Sequence, residues 1–351
     1  MSGTSVRRFA CAILLLILSP NLHAQHYTVT DLGTLPGDTA SMAWGMNSSA
    51  VVVGASLGKG IHGFFWTERA GLQELTCGEG TQSFTDAIND NGQVVGSCGP
   101  TESNEAAFLW TLSGGKQDLG TLSGGAFSQA NGINRAGQVV GTSNHGNVAS
   151  NLHAFLWRRQ GGMADLGTLP GGTFSLGTAI NEAGEAVGYS GFDSSSGYRA
   201  FVWTRSGGMR DLGALPGAIY SDAIAINDVG QIVGESSTSS TGSFNFHAIL
   251  WTAGSIRDLG ILRGASYSFA ASINDAGEIV GESGPQGQDS SHAVIWDEYG
   301  HVRDLNKQIC RNTGWILLTA RAINASGQIA GWGTINARTH AFLAEPNQNC
   351  R

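Results

Sequence analysis

The phrase Ile-Asn, two residues, Gly-Gln, then Val-Val-Gly recurs through the chain with its Asn at Asn47, Asn89, Asn134, Asn181, Asn227, Asn274 and Asn324. Successive spacings are 42, 45, 47, 46, 47 and 50 residues. A period of that length is the length of a four-stranded propeller blade, and it constrains the fold more than any other feature. Each unit divides alike. Small residues precede the Asn, as in SQANGIN ending at Asn134, and form a first strand. The Asn-x-x-Gly that follows is a tight hairpin turn with Gly where positive φ is needed. GQVVGTS forms a second strand and, after a variable loop, HAFLW a third, rich in residues suited to burial on both faces. A Gly-Gly turn leads into a fourth strand ending Asp-Leu-Gly. Composition agrees: 52 Gly with 13% charged and 41% hydrophobic residues is too apolar for disorder and too rich in Gly for a helical protein.

The two ends decide between an open array and a ring. YTVTDLG, from Tyr27, is a fourth strand without its first three, and HAFL, from His340, is a third strand without its fourth. Joined, they complete one blade and hide two sheet edges that an open array would expose. The expectation is an all-β, seven-bladed β-propeller of four-stranded blades, its ring closed by the N-terminal strand, with residues 25–351 forming one domain.

Arg7 and Arg8, the apolar run from Phe9 to Leu18, Pro20 and then Leu22-His23-Ala24 have the order of a secretory signal peptide covering residues 1–24. The run is too short to span a bilayer, and no later stretch comes close, so no integral membrane segment is expected once the signal is removed. Its loss removes two basic and no acidic residues, taking the net charge from −8 to −10, which disfavours nucleic acid and anionic membranes as partners. Cys77, Cys98, Cys310 and Cys350 remain, an even number, so disulfides are expected in a secreted, extracellular or periplasmic protein. Three connectivities are possible, and sequential pairing is the one expected here.

The repeated HAFLW, GGM-x-DLG, TLPGG and AIN-x-x-GQVVG resemble the HAF-repeat proteins, predicted extracellular bacterial proteins named for His-Ala-Phe. The resemblance covers roughly residues 27–344. It implies export and a repeat architecture and carries no activity or catalytic residues to transfer. Departures are Ala50 for the turn Gly, Ala106 and Arg199 for the His, and Ala344 for the last Trp.

A residue type present in nearly every blade answers a need common to all blades, whereas a ligand site needs residues that break the symmetry. On that logic the series beginning Trp66, His62, Ser41 and Asp31 are structural. The Trp rings belong to the core, and the Ser hydroxyls cap backbone groups between blades. The His residues stand a blade apart, too far to share a metal. No cofactor and no metal are expected. GASLG, Gly54–Gly58, matches Gly-x-Ser-x-Gly, but no helix follows Ser56, which argues against a nucleophile elbow. Glu235 and Glu282 recur at the ends of second strands and read as a solvated loop pair.

Three residues before each Asn the symmetry breaks. Arg321, Trp44, Asp86, Asn131 and Thr178 are contiguous round the ring and polar or aromatic, while Ile224 and Ala271 are apolar. Those five are the candidate ligand-binding set, suited to a glycan or a peptide terminus. Together with the variable loops, they point to a non-catalytic binding module acting at the loop face and channel mouth. The alternatives are a propeller enzyme, a polysaccharide lyase or hydrolase using carboxylates such as Asp86 or Glu235, and a scaffold with an envelope protein as partner.

Overall fold

The structure is a computed structural model and describes residues 26–349 apart from 79–80, 102–103, 147–150, 193–196, 240–244, 286–290, 298 and 312. Residues 1–24, where a signal peptide is expected from the sequence, lie outside the described residues. Seven four-stranded antiparallel sheets form the seven blades of a β-propeller. Six are continuous in sequence: Ala40 to Glu74, Gln82 to Gly120, Ser128 to Asp165, Phe174 to Asp211, Ser221 to Asp258 and Tyr267 to Asp304. The seventh takes its inner three strands from Ile316–Ile323, Ile329–Ile335 and Arg338–Pro346, and its outer strand from Tyr27–Gly33, as the chain ends imply.

The repeated residues explain the ring. Val, Ala, Phe and Trp from the second and third strands pack against the next blade's inner strands. One such cluster joins Val95, Ala107 and Leu109 of blade 2 to Ala130, Val139 and Phe155 of blade 3. Trp66, Trp157, Trp251 and Trp296 are buried in these layers, as the core reading requires. The Ser series performs the expected capping. Ser175 Oγ accepts from Ala154 N at 2.9 Å and donates to Gly167 O at 2.6 Å, both in the preceding blade. Ser128, Ser221 and Ser268 do the same.

The Asn does more than turn the chain. Asn134 Oδ1 accepts from Gln138 N inside its hairpin, while its Nδ2 donates to Asn181 O of the next blade. The same donation runs from Asn47 to Asn89, Asn89 to Asn134, Asn181 to Asn227, Asn227 to Asn274, Asn274 to Asn324 and back to Asn47, at 2.9–3.5 Å. Seven carboxamides thus close a hydrogen-bonded ring around the axis. The turn Gly, such as Gly137 at φ 73°, sits in the left-handed region, and Ala50 takes the same conformation at φ 56°.

Cys77 and Cys98 form a disulfide with Cα atoms 6.0 Å apart. Cys310 is disulfide-bonded as well. Cys350, its partner under sequential pairing, lies outside the described residues. No helix of the described residues is long and apolar enough to cross a membrane.

Candidate functional site

A β-bulge places the symmetry-breaking residues. In every blade the inner strand's register slips just three residues before the Asn, leaving Trp44, Asp86, Asn131, Thr178, Ile224, Ala271 and Arg321 outside the ladder. An extra residue at a bulge re-aims its side chain, and here all seven line one axial cavity of about 490 Å³. The bulge also accounts for the Gly that closes Val-Val-Gly. At Gly141, Gln129 O stands 1.9 Å from where a Cβ would be, so the inner strand leans over a bare backbone.

The five expected residues therefore converge, with two corrections. The cavity's lining also includes Met46, Ile88, Ile133, Ile180 and Ile226, which adjoin the Asn turns. The set thus stands toward the Asn-turn end of the channel, away from the variable loops. Asn131 and Thr178, moreover, spend their donors on the following blade: Asn131 Nδ2 reaches Gly177 O at 2.7 Å and Thr178 Oγ1 reaches Ala223 O at 2.6 Å. Trp44, Asp86 and Arg321 keep functional groups toward the lumen. The Arg321 guanidinium lies 4.9 Å from the Trp44 ring and 5.4 Å from the Trp332 ring, and the two indoles meet at 5.1 Å.

Nearer the loop face a second level carries chemistry that the bulge set does not. Five residues before the Asn on the inner strand, and just after Val-Val-Gly on the second, paired positions face each other across the ladder. Blade 5 offers Asp222 opposite Glu235, blade 6 Phe269 opposite Glu282, and blade 7 Thr319 opposite Trp332. Glu235, Glu282, Phe269, Thr319 and Arg321 line a cavity of about 200 Å³ in the wall of blades 5 to 7. Glu235 and Glu282 thus line an interior cavity, which corrects the solvated loop pair: they sit inside strands Ile232–Ser237 and Ile279–Gly284 and not in a loop.

Burial sets the protonation of these groups. It pushes the Asp222 carboxyl up to about 8, and Asp222 Oδ1 is enclosed without a hydrogen-bond partner. Burial, with Asp222 and Glu282 close by, holds Glu235 well above the carboxylate range against the pull of Arg321. Glu282 is also raised by burial, but it accepts a hydrogen bond from Thr319 Oγ1 and feels Arg321, both of which favour its ionised form. Asp86 is pushed up to about 7 by burial and by Glu105, again opposed by Arg321. Burial in turn lowers Arg321.

The remaining sequence candidates fall out. Ser56 is fully buried; its Oγ accepts from Leu35 N at 3.0 Å and donates to Ala40 O, so Gly-x-Ser-x-Gly is a packing element. His153, His247, His292 and His340 pair through Nδ1 with Asp165, Asp258, Asp304 and Asp31, and His62 with Asp38. No group of three or more His, Cys, Asp or Glu among the described residues is arranged to hold a metal.

No protein-family model matches the chain, and no characterised protein matches it by sequence. Solved structures do. A prolyl endopeptidase is 10% identical with a TM-score of 0.58, covering 93% of this chain and 51% of its own. A puromycin hydrolase variant complexed with PGG is 15% identical with a TM-score of 0.54, covering 86% and 51%. A chain of the mitotic checkpoint complex is 11% identical with a TM-score of 0.50, covering 99% of each. The chain spans about half the length of the two hydrolytic proteins, and at these identities the likeness shows the propeller fold alone. The expectation of a non-catalytic module is corrected nonetheless. A prolyl endopeptidase and a puromycin hydrolase stand among the similar structures, and burial raises the carboxyls of Glu235 and Glu282, for which the sequence predicts a solvated loop.

Proposed function

We propose that the protein is an exported polysaccharide hydrolase whose reaction takes place in the loop-side lumen of blades 5 to 7. The first 24 residues serve as a cleaved export signal in this reading, and the Cys77–Cys98 disulfide is compatible with an oxidising compartment. The observation that carries the reading is the contrast between Glu235 and Glu282. They occupy equivalent positions in adjacent blades and burial raises both, yet Glu235 has Asp222 beside it, which raises it further, whereas Glu282 accepts a hydrogen bond from Thr319 Oγ1, which offsets the rise.

Two carboxyls of which one holds its proton more firmly than the other suit glycoside hydrolysis. Glu235 donates its proton to the glycosidic oxygen as the C–O bond breaks. Glu282, when ionised beside Thr319 and Arg321, takes a proton from the attacking water as its oxygen bonds to the sugar carbon that the leaving group vacates. Asp222, opposite Glu235 in the ladder, raises the Glu235 carboxyl further and so keeps the acid loaded near neutral pH.

The test is an assay of new reducing ends on neutral, amino-sugar and uronate polysaccharides, with unsaturated products followed in parallel. Glu235→Gln is expected to lower turnover by about 10²- to 10⁴-fold with an unchanged melting temperature. Turnover unaffected by that substitution, or none on any chain, overturns the reading; unsaturated products in place of water-derived ends convert it to a lyase.

A further inference from the structure

At the bulge position blade 7 alone carries a base, Arg321, and just after the glycine that closes the second-strand motif it alone carries a Trp, Trp332. The two sit together with Trp44 of blade 1: the guanidinium lies 4.9 Å from the Trp44 ring and 5.4 Å from the Trp332 ring. Those rings are its partners, and the described residues give its N–H groups neither a hydrogen-bond acceptor nor an ion pair. A guanidinium held over ring faces keeps its N–H edge, the planar fork that meets a carboxylate in two parallel hydrogen bonds.

The edge is within reach of a ligand. Arg321 is half-buried and lines both the axial cavity of about 490 Å³ and the wall cavity of about 200 Å³ that holds Glu235 and Glu282. Three carboxyls act on the guanidinium through space, those of Glu282, Asp86 and Glu235, and none stands close enough for an ion pair. Burial raises all three; Glu105 raises Asp86 further, and Asp222 does the same for Glu235. Toward acid pH the charge of Arg321 therefore stands increasingly alone, among carboxyls that become neutral donors and acceptors. Asn131 adds an acceptor, because its Nδ2 is spent on Gly177 O while its Oδ1 remains. One cation among neutral polar groups suits a ligand that carries a carboxylate and several hydroxyls.

We infer that Arg321 is the carboxylate-binding residue of a site for a uronate polysaccharide, its N–H edge holding the carboxylate of one ring in the axial cavity while Asp86 and Asn131 take that ring's hydroxyls. Exposed acids next to the Asn turns, Asp90, Glu182, Asp228 and Asp275, repel a polyanion at that end, so the chain enters from the loop face. This deepens the hydrolase reading by naming its substrate class, and it rests on that reading only for what happens to the chain once bound.

Titration calorimetry of the mature protein at about pH 6 with galacturonate and mannuronate trimers, the methyl ester of the former, inorganic phosphate and a tripeptide tests it. At least one uronate trimer is expected to bind about tenfold or more tightly than the ester, phosphate or the tripeptide, and Arg321→Gln to abolish that preference. Arg321→Lys keeps the charge without the fork and is expected to recover only part of it. A bound carboxylate also opposes the pull of Arg321 on Asp86, Glu235 and Glu282, so binding takes up protons and weakens as pH rises from about 6 to about 8.5.

Equal binding of acid and ester overturns the role of the carboxylate, phosphate or the tripeptide bound as tightly overturns the uronate, and no binding overturns the site. Melting curves identify an Arg321 variant that fails to fold, and the comparison of acid with ester on the unaltered chain then decides. Turnover separates the two proposals. A uronate chain bound at Arg321 but not cleaved leaves the site standing and removes the hydrolase, whereas cleavage of a neutral chain with uronates ignored does the reverse. If both hold, the acid limb of turnover on a uronate chain lies at higher pH than on its methyl ester, because the bound carboxylate lets Glu282 keep its proton longer.

Discussion

Asp222 and Glu235 stand directly opposite each other in the antiparallel ladder of blade 5, two acids on neighbouring strands with Asp222 Oδ1 enclosed and unpartnered. Like charges directly across a ladder destabilise a sheet, and burial without a donor adds to the cost of ionising either. The pair persists by staying protonated, which makes the chain's stability depend on pH.

Asp222 is raised to about 8 and Asp86 to about 7, so between their unfolded values near 4 and these folded values the native chain binds more protons than the unfolded one. Stability from these groups is therefore greatest at acid pH and is lost as pH rises through about 7 to 8. The melting temperature is expected to fall between about pH 5 and about pH 8.5, and Asp222→Asn to flatten that fall and stabilise the chain at the upper end by at least about 1 kcal/mol. A wild-type melting temperature that rises over this interval contradicts the assignment.

The Asn ring predicts a separation between two substitutions at one site. Asn134→Ala removes the acceptor for Gln138 N and the donor to Asn181 O together, whereas Asn134→Asp keeps the acceptor and loses the donor. Each hydrogen bond is worth about 1 kcal/mol, and a buried carbonyl left unpaired costs about 1–3 kcal/mol. Both variants are expected to lower the unfolding free energy in denaturant titration, Ala by more, with the Asp variant recovering as its carboxyl is protonated at low pH.

Much of this architecture is legible in the chain itself. The Asn spacing fixes the blade count, and the incomplete strands at Tyr27 and His340 fix closure, because sheet pairing is set by pattern and turn chemistry that sequence displays. Broken symmetry marks the bulge set in the sequence, but it does not reveal that the donors of Asn131 and Thr178 serve the next blade. What the chain hides is which residues meet across a blade boundary. Glu235 and Glu282 read as loop carboxyls because the orientation of a strand end depends on the bulge in its neighbour. Asp222 and Trp332 carry the same broken symmetry, five residues before the Asn and just after Val-Val-Gly, at positions that pair across the ladder.

The Cys77–Cys98 bridge joins the loop ahead of blade 2 to that blade's second strand. Closing a loop of about 20 residues constrains the unfolded chain by roughly 3 kcal/mol. Double replacement by Ser is expected to lower the unfolding free energy by about that amount while leaving any turnover unchanged, because Glu235 and Glu282 lie in blades 5 and 6. A loss of turnover without a loss of stability implies that the site extends to blade 2.

Arg321 provides the last prediction, because one guanidinium serves two purposes in the lumen. It lies against the Trp44 and Trp332 rings, and it pulls down the carboxyls of Asp86, Glu235 and Glu282. Arg321→Gln removes both effects. Glu282 then holds its proton to higher pH, so the acid limb of the turnover profile is expected to move upward, by about one pH unit if the lost interaction is about 1.4 kcal/mol. Arg321→Lys keeps a charge but not the flat stack, so it is expected to restore most of the pH profile while the Trp emission stays altered as in Arg321→Gln. An unmoved pH profile in Arg321→Gln, with the emission changed, means that Arg321 packs the indoles and does not set the protonation of Glu282, which would transfer the role of base to another carboxyl of the lumen.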